Sequence, residues 1–334
     1  MAEPASRTGV TISLPVHDRF GYGAQPDASM NLCQTKFAGL LLAVVFLAMP
    51  NRAQEAAKLA QPVDLPEGTE VAPDVRLIGH LTHPRITESS GVVASRQFPG
   101  VLWTHNDGGG VRKQVLYAIT RTGKSLREFG VADAVLYDWE DIAIDDEKHL
   151  FIGDLGNNDG RRSEVAVYQI DEPDPNSAAG LVQTRRRWRL RFPAAPFDCE
   201  SLFVWNGSGY VVSKVGKDAR AQIFRFPLAD PPQPAVLELV ATTRIESPVT
   251  GADISPDGKL LGLVAKSGAF IYRINGDVAR AGKGKPYQTK FRHEHIEGCC
   301  FVPEGLLATA ESREIYLFGD DAFRWQRAGS HEHH

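Results

Sequence analysis

The sequence predicts an all-β protein built from one repeated element, and three observations support this prediction. Five segments open with a hydroxyl or acidic residue followed by a short apolar strand: Ser90-GVVAS, Glu140-DIAID, Glu200-SLFVW, Thr250-GADIS and Glu297-GCCFV. Their first residues are 50, 60, 50 and 47 positions apart. The 31 glycines and 21 prolines suit a turn-rich protein of short strands. A period near 50 residues with four short strands is typical of a β-propeller blade.

Each repeat continues in the same order after its first strand. A tight turn, a second apolar strand, a loop and a third strand follow, and a more variable outer strand ends the repeat. The outer strands correspond to SLREFGV, RRRWRLRF, LELVATTRI and QTKFRH. The fifth repeat lacks one, and we expect residues 74–81 (DVRLIGHL) to close it from the N-terminal side, which would protect an exposed sheet edge. We therefore expect five blades, with a sixth as the alternative because one interval has 60 residues.

The N-terminal part of the chain has the pattern of an export signal. Residues 37–49 form a 13-residue apolar run after Lys36, which is short for a bilayer span. We interpret residues 30–53 as a signal peptide starting at Met30 and 1–29 as a non-native or disordered extension. A linker is expected at 54–72, the propeller at 73–325 and a disordered tail at 326–334. The protein would then be periplasmic or secreted; an uncleaved membrane anchor is the alternative.

Composition limits the partners of the protein. A net charge of −4 argues against nucleic acid, and we expect a monomer without a membrane partner unless the signal is uncleaved. Cys199, Cys299 and Cys300 form an odd set, so buried free thiols are favoured over a bridge from Cys199.

The repeated first residue predicts a metal site. In a propeller the innermost strands line a central channel, so the five first residues would form a ring near one mouth. Three carboxylates in such a ring would repel one another unless protonated or neutralised. Calcium accepts six to eight oxygen ligands, and we predict that it binds Ser90, Glu140, Glu200, Thr250 and Glu297. A purely structural ring, hydrogen-bonded to neighbouring blades, is the alternative.

Loops after the second strands would form a rim above this ring. The candidate catalytic residues there are Asp107, Arg112, Asp154 and Lys214. Such a rim could bind a small anionic or polyhydroxyl ligand, or it could be ordinary solvated surface. The pair His293 and His295 is interpreted as surface on an outer strand.

Two resemblances follow from these motifs. SGVVASRQFPGVLWTHNDGG, DWEDIAIDDEKHLFIGDLGNNDGR and TGADISPDG resemble strings of uncharacterised bacterial secreted propellers, over about residues 86–318. The ring is similar in order to the Ser, Glu, Glu, Ser and Glu that hold a central calcium in five-bladed calcium-dependent apyrases, with Thr250 in place of the second Ser. The second resemblance implies axial calcium; beyond Asp107 and Arg112, the loop residues of those enzymes have no match here.

Three functions remain open at the level of sequence. The first is an exported calcium-dependent hydrolase of a phosphorylated substrate. The second is a non-catalytic binding or scaffold propeller with structural calcium. The third is a glycoside hydrolase that uses Glu140, Glu200 and Glu297 as acid and base.

Overall fold

The computed structural model of the protein describes residues 65–110, 114–216, 219–229 and 233–319. Its first strands, β1 (Glu70–Ala72) and β2 (Val75–His80), form an antiparallel pair. β1 lies within the segment 54–72 that we expected to be a linker. The expected N-terminal extension, signal peptide and C-terminal tail lie outside the described residues.

Four antiparallel sheets follow one another along the chain. Sheet 1 contains β3 (Ser89–Ala94), β4 (Val101–Asn106), β5 (Val115–Thr120) and β6 (Ser125–Ala132). Sheet 2 contains β7 (Trp139–Ile144), β8 (His149–Asp154), β9 (Glu164–Asp171) and β10 (Leu181–Arg191). Sheet 3 contains β11 (Cys199–Trp205), β12 (Ser208–Ser213), β13 (Gln222–Pro227) and, after the short β14 (Ala235–Val236), β15 (Glu238–Thr242). Sheet 4 contains β16 (Val249–Ile254), β17 (Leu260–Ala265), β18 (Gly268–Arg273) and, after the 3-10 helix η1 (Val278–Gly282), β19 (Tyr287–Lys290).

Sheet 5 joins the two ends of the described chain. It contains β20 (Ile296–Val302), β21 (Gly305–Ala310) and β22 (Glu314–Gly319), and β2 pairs antiparallel with β22. The prediction that residues 74–81 close the last sheet is therefore confirmed. The predicted outer strands of the other sheets are also present, as β6, β10, β15 and β19.

The additional residues of the 60-residue interval between Glu140 and Glu200 lie within sheet 2. β10 is 11 residues long, and its first residues pair in parallel with β6 of sheet 1. At its far end β10 pairs in parallel with β14. Every described strand between Glu140 and Asp198 belongs to sheet 2.

The first strands of the sheets are the inner strands, and they follow one another in a closed ring. β3 contacts β7, β7 contacts β11, β11 contacts β16, β16 contacts β20, and β20 contacts β3 again. We call the end where the inner strands begin the upper mouth and the end where they finish the lower mouth. The apolar core lies between neighbouring sheets, and sheets 5 and 1 share a cluster of their own that includes Tyr117 and Ile315.

Local sequence explains the hairpins that follow the inner strands. In sheet 3 the two residues between β11 and β12 are Asn206 and Gly207, with φ of 46° and 70°. Asn-Gly is the favoured pair for a type I′ turn, whose twist matches that of the flanking strands. The closed succession of antiparallel sheets confirms the predicted β-propeller class. Within the described residues, none of the helical segments is long and apolar enough to cross a membrane.

Candidate metal centre at the upper mouth

The five predicted ring residues occupy equivalent places in the structure. Each is the second residue of its inner strand, and none is more than 6% exposed; they are Ser90, Glu140, Glu200, Thr250 and Glu297. Because the inner strands form a closed ring, equal register brings these residues to the same mouth. The Glu200 carboxylate contributes to the pKa of both Glu140 and Glu297, so the three glutamates lie within electrostatic reach of one another.

Glycines beside the ring allow the inner strands to approach closely. A Cβ added at Gly298 would lie 2.3 Å from the backbone oxygen of Ser90. A Cβ at Gly251 would lie 2.4 Å from the backbone oxygen of Glu297. Real Cβ atoms cannot come so close to backbone, so these positions require glycine and the ring is narrow.

The two hydroxyl groups of the ring tie neighbouring inner strands together. Ser90 Oγ donates to the backbone oxygen of Glu140 at 2.5 Å, and Thr250 Oγ1 donates to that of Ile296 at 2.9 Å. Asp141 adds a further link, because its carboxylate accepts the backbone N–H of Leu202 at 2.8 Å. Each hydroxyl oxygen keeps lone pairs after donating its proton, so both remain able to bind a cation.

Two of the ring carboxylates are paired with lysines. Lys214 forms an ion pair with Glu200, and Lys266 forms one with Glu297. The two lysines have equivalent positions, one residue after β12 and one residue after β17. Lys214 thus lies beside a ring residue at the mouth, and Lys266 is its counterpart in sheet 4.

Glu140 lies instead among other carboxylates. One carboxylate oxygen each of Asp107, Asp138 and Glu140 lies within 4.8 Å of the other two, and we call this group the carboxylate cluster. Gly156 packs against it: an added Cβ would lie 2.2 Å from both Asp138 Oδ2 and Glu140 Oε1. This donor set of oxygens at short mutual distance fits a hard divalent cation.

The electrostatics of the mouth reflect this crowding. Burial, followed by the charges of Glu200, Asp107 and other carboxylates, raises the pKa of Glu140 well above its usual range. Burial raises the pKa of Glu297 to about 8, although Lys266 opposes the shift. Burial also raises the pKa of Glu200, against the opposing effect of Lys214. An additional cation at the mouth would favour the ionised form of these buried carboxylates.

The sequence did contain a signal for residues that our predictions missed. Asp138, Asp198 and His295 each stand two positions before a ring residue. In an extended chain residues i and i+2 point to the same side, so D-x-E and H-x-E place a second polar group beside the ring. Asp138 belongs to the carboxylate cluster, and the Asp198 charge acts on both Glu140 and Glu200.

His293 and His295 lie in the loop between β19 and β20, so their interpretation as outer-strand surface was wrong. His295 Nδ1 is 3.0 Å from Glu311 Oε2, and Tyr316 Oη is 3.2 Å from His293 Nε2. Both histidines are half-buried. The loop leads directly into β20, the inner strand that carries Glu297.

Asp154 fixes the backbone next to the carboxylate cluster. Its side chain is 1% exposed and accepts the backbone N–H groups of Tyr137 and Asp138, at 3.1 and 2.8 Å. It also pairs with Arg162 at 3.0 Å. Asn106 plays the same part in sheet 1, where its Oδ1 accepts from Thr87 at 2.9 Å. These contacts make Asp154 a positioning residue for the loop that carries Asp138.

The other predicted candidates divide between the mouth and the undescribed residues. Asp107, predicted as catalytic, belongs to the carboxylate cluster. Arg112 lies outside the described residues. All three described cysteines are buried and unbridged. The described mouth therefore combines a carboxylate side on sheets 1 and 2 with two lysines on sheets 3 and 4.

No family model and no curated protein matches this sequence. Among solved structures, the chain is similar to the Dos1 propeller, with 13% identity and a TM-score of 0.36 over 70% of this chain. It spans 57% of the length of that chain. It is similar to hydrazine synthase of Kuenenia stuttgartiensis, with 11% identity and a TM-score of 0.40 over 69% of this chain and 71% of that chain. It is also similar to a chain of a nidogen/laminin complex, with 11% identity and a TM-score of 0.42 over 70% of this chain and 81% of that chain. These similarities concern the fold alone.

Proposed function

We propose that this protein is an exported calcium-binding propeller that hydrolyses a phosphorylated substrate at its upper mouth. The observation that carries the proposal is the carboxylate cluster, in which three carboxylates meet within 4.8 Å beside two more buried ring glutamates. Such a concentration of oxygen donors suits calcium, which binds carboxylates and hydroxyls in flexible geometry.

Asp107, Asp138 and Glu140 would hold the ion, with the remaining ring oxygens close by. A bound divalent cation would supply charge for substrate oxygens and lower the pKa of a water molecule. Lys214 and Lys266 then have the second role of stabilising negative charge on a phosphoryl group. Their contacts with Glu200 and Glu297 orient both ammonium groups.

The metal part of the proposal is tested by a thermal-shift titration of the full chain with calcium and with a chelator. At a calcium concentration 100 times Kd, binding to the folded state alone adds about 2.7 kcal/mol. For a domain of this size, that corresponds to an increase in Tm of roughly 5 to 10 °C. The variant Glu140→Gln should lose this increase.

A matched control comes from a second acidic group in the chain. Asp145, Glu147 and His149 also bring ligand atoms within 4.8 Å of one another, at the turn between β7 and β8. Glu147→Gln should keep the full calcium effect if the ion binds at the upper mouth. Loss of the effect in Glu147→Gln but not in Glu140→Gln would overturn the proposed location.

The catalytic part is tested by phosphate release from a monoester, a diester and an anhydride. Turnover that needs calcium and disappears in a folded Glu140→Gln variant supports the hydrolase. A calcium-dependent rise in Tm without turnover of any of these, or of aryl glycosides, would indicate a binding propeller. Turnover of glycosides alone would favour the glycosidase, in which Glu140 with its raised pKa acts as the acid.

A further inference from the structure

A cavity opens at the lower mouth, at the opposite end of the inner strands from the carboxylate cluster. Its volume is about 540 Å³, within the range of small-molecule sites. It is lined by the ends of the inner strands of sheets 1, 2, 4 and 5 and by the SPDGK turn of sheet 4. Thr250 of the ring and Asp253 of the cavity belong to the same strand, β16, so about 10 Å of strand separates the two sites.

The walls of this cavity are mostly apolar. Val93, Ile144, Leu260, Phe301 and Val302 contribute aliphatic and aromatic surface from four different sheets. An apolar lining with a few polar groups is the usual composition of a small-molecule site.

The carboxylates of the cavity already have partners. Asp253 accepts the backbone N–H groups of Ile254 at 2.8 Å and Phe301 at 2.7 Å. Asp257 accepts from the Ser255 hydroxyl at 2.7 Å and pairs with Lys259 at 3.2 Å. Their oxygens are thus occupied by the protein itself.

The arginines of the cavity are different. Within the described part of the chain, Arg96 and Arg273 form no ion pair, although the charge of Arg96 opposes the rise in the pKa of Asp253. Arg273 Nη2 is buried without a hydrogen-bond acceptor. Leaving a charged donor buried and unmatched is unfavourable. An arginine without an ion-pair partner at the wall of a cavity is able to bind an anionic ligand through its other N–H groups. A guanidinium group is also well shaped to bind a carboxylate through two hydrogen bonds.

We propose that the lower mouth binds a small organic carboxylate whose apolar body lies between the sheets. Arg273 and Arg96 bind the carboxylate group, and the five apolar residues enclose the body of the ligand. This site is separate from the upper mouth and does not depend on the proposed hydrolase activity.

The test uses isothermal titration of the full-length protein with octanoate, octanol and octylamine, which share one apolar chain and differ in charge. Octanoate should bind more tightly than octanol, and octylamine should bind least. Arg273→Gln and Arg96→Gln should each weaken octanoate about tenfold, the expected effect of losing a charged hydrogen bond, and leave octanol unchanged.

The controls separate charge, cavity and upper mouth. Arg76→Gln removes an exposed arginine on β2, away from the cavity, and should leave octanoate binding unchanged. Ala94→Trp should fill the cavity without changing its charge and abolish binding of both octanoate and octanol. Glu140→Gln should retain octanoate binding. The proposal is wrong if octanol or octylamine binds as tightly as octanoate, or if Ala94→Trp leaves octanoate binding intact.

Discussion

The raised pKa of Glu297 makes a quantitative prediction about stability and pH. Burial moves this pKa from 4.5 to about 8 in the folded protein. At a pH between these two pKa values, Glu297 is protonated in the folded protein and ionised in the unfolded chain. Raising the pH therefore favours the unfolded state, and the stability contributed by the neutral carboxyl is lost as the pH rises towards 8.

The magnitude follows from the size of the shift. At about 1.4 kcal/mol per pKa unit, the interval from 4.5 to about 8 corresponds to about 5 kcal/mol of unfolding free energy. Burial lowers the pKa of His105 from 6.5 to about 4, so the folded state loses stability through His105 as the pH falls below 6.5. This effect is opposite in direction to that of Glu297. The contribution of Glu297 is therefore taken as the difference between wild type and Glu297→Gln.

The assay measures the free energy of unfolding in urea, in the presence of a chelator, at pH values from 4.5 to about 8. Over this pH range the free energy of unfolding of the wild type should fall by several kcal/mol more than that of Glu297→Gln, because glutamine does not titrate. The exposed control Glu67→Gln should keep the wild-type slope. Saturating calcium should flatten the wild-type slope, since a bound cation favours the ionised carboxylates. Equal slopes for wild type and Glu297→Gln would refute the reasoning.

Three further predictions concern the structure around the upper mouth and the thiols. Gly156→Ala should lower the free energy of unfolding by about 1 to 3 kcal/mol and reduce the calcium-induced rise in Tm, because the added Cβ would overlap the carboxylate cluster. The control Gly180→Ala should have neither effect, because an added Cβ there has no atom within 4 Å. Asp154→Ala should lower the free energy of unfolding in urea by about 2 to 4 kcal/mol, because it leaves two backbone donors unmatched and removes the carboxylate partner of Arg162. Asp154→Asn should lower it less. Ellman's reagent should not modify Cys199, Cys299 or Cys300 before unfolding, because all three are buried and burial raises the pKa of each thiol; fast reaction of any of these three thiols would contradict their burial.

The repeat was sufficient to predict the main features of the fold. The spacing of the five first residues predicted the inner strands, and each of these residues is the second residue of its strand. The missing outer strand of the last repeat predicted closure by residues 74–81. These features depend on the alternation of apolar and polar residues along a strand and on the position of a residue within it. Both can be read from the sequence alone.

The partners of the ring residues were decided by the tertiary structure. Lys214 and Lys266 are both close to ring residues in a propeller, but only packing shows that Glu200 and Glu297 receive them. The D-x-E spacing marked Asp138 as a neighbour of Glu140, whereas its approach to Asp107 depends on contact between two sheets. A sequence does not contain the distances between side chains of different sheets.

The lower mouth depends even more on tertiary structure. Arg96 and Arg273 are more than three repeats apart in the sequence, and they do not belong to a common motif. They line one cavity because β18, the third strand of sheet 4, ends with Arg273 at the same mouth where the inner strands end. By itself, the sequence determined the five-fold repeat, its closure and the oxygen donors of the ring. The ion pairs, the carboxylate cluster and the cavity were decided only by folding, because each depends on how separate sheets pack around a common axis.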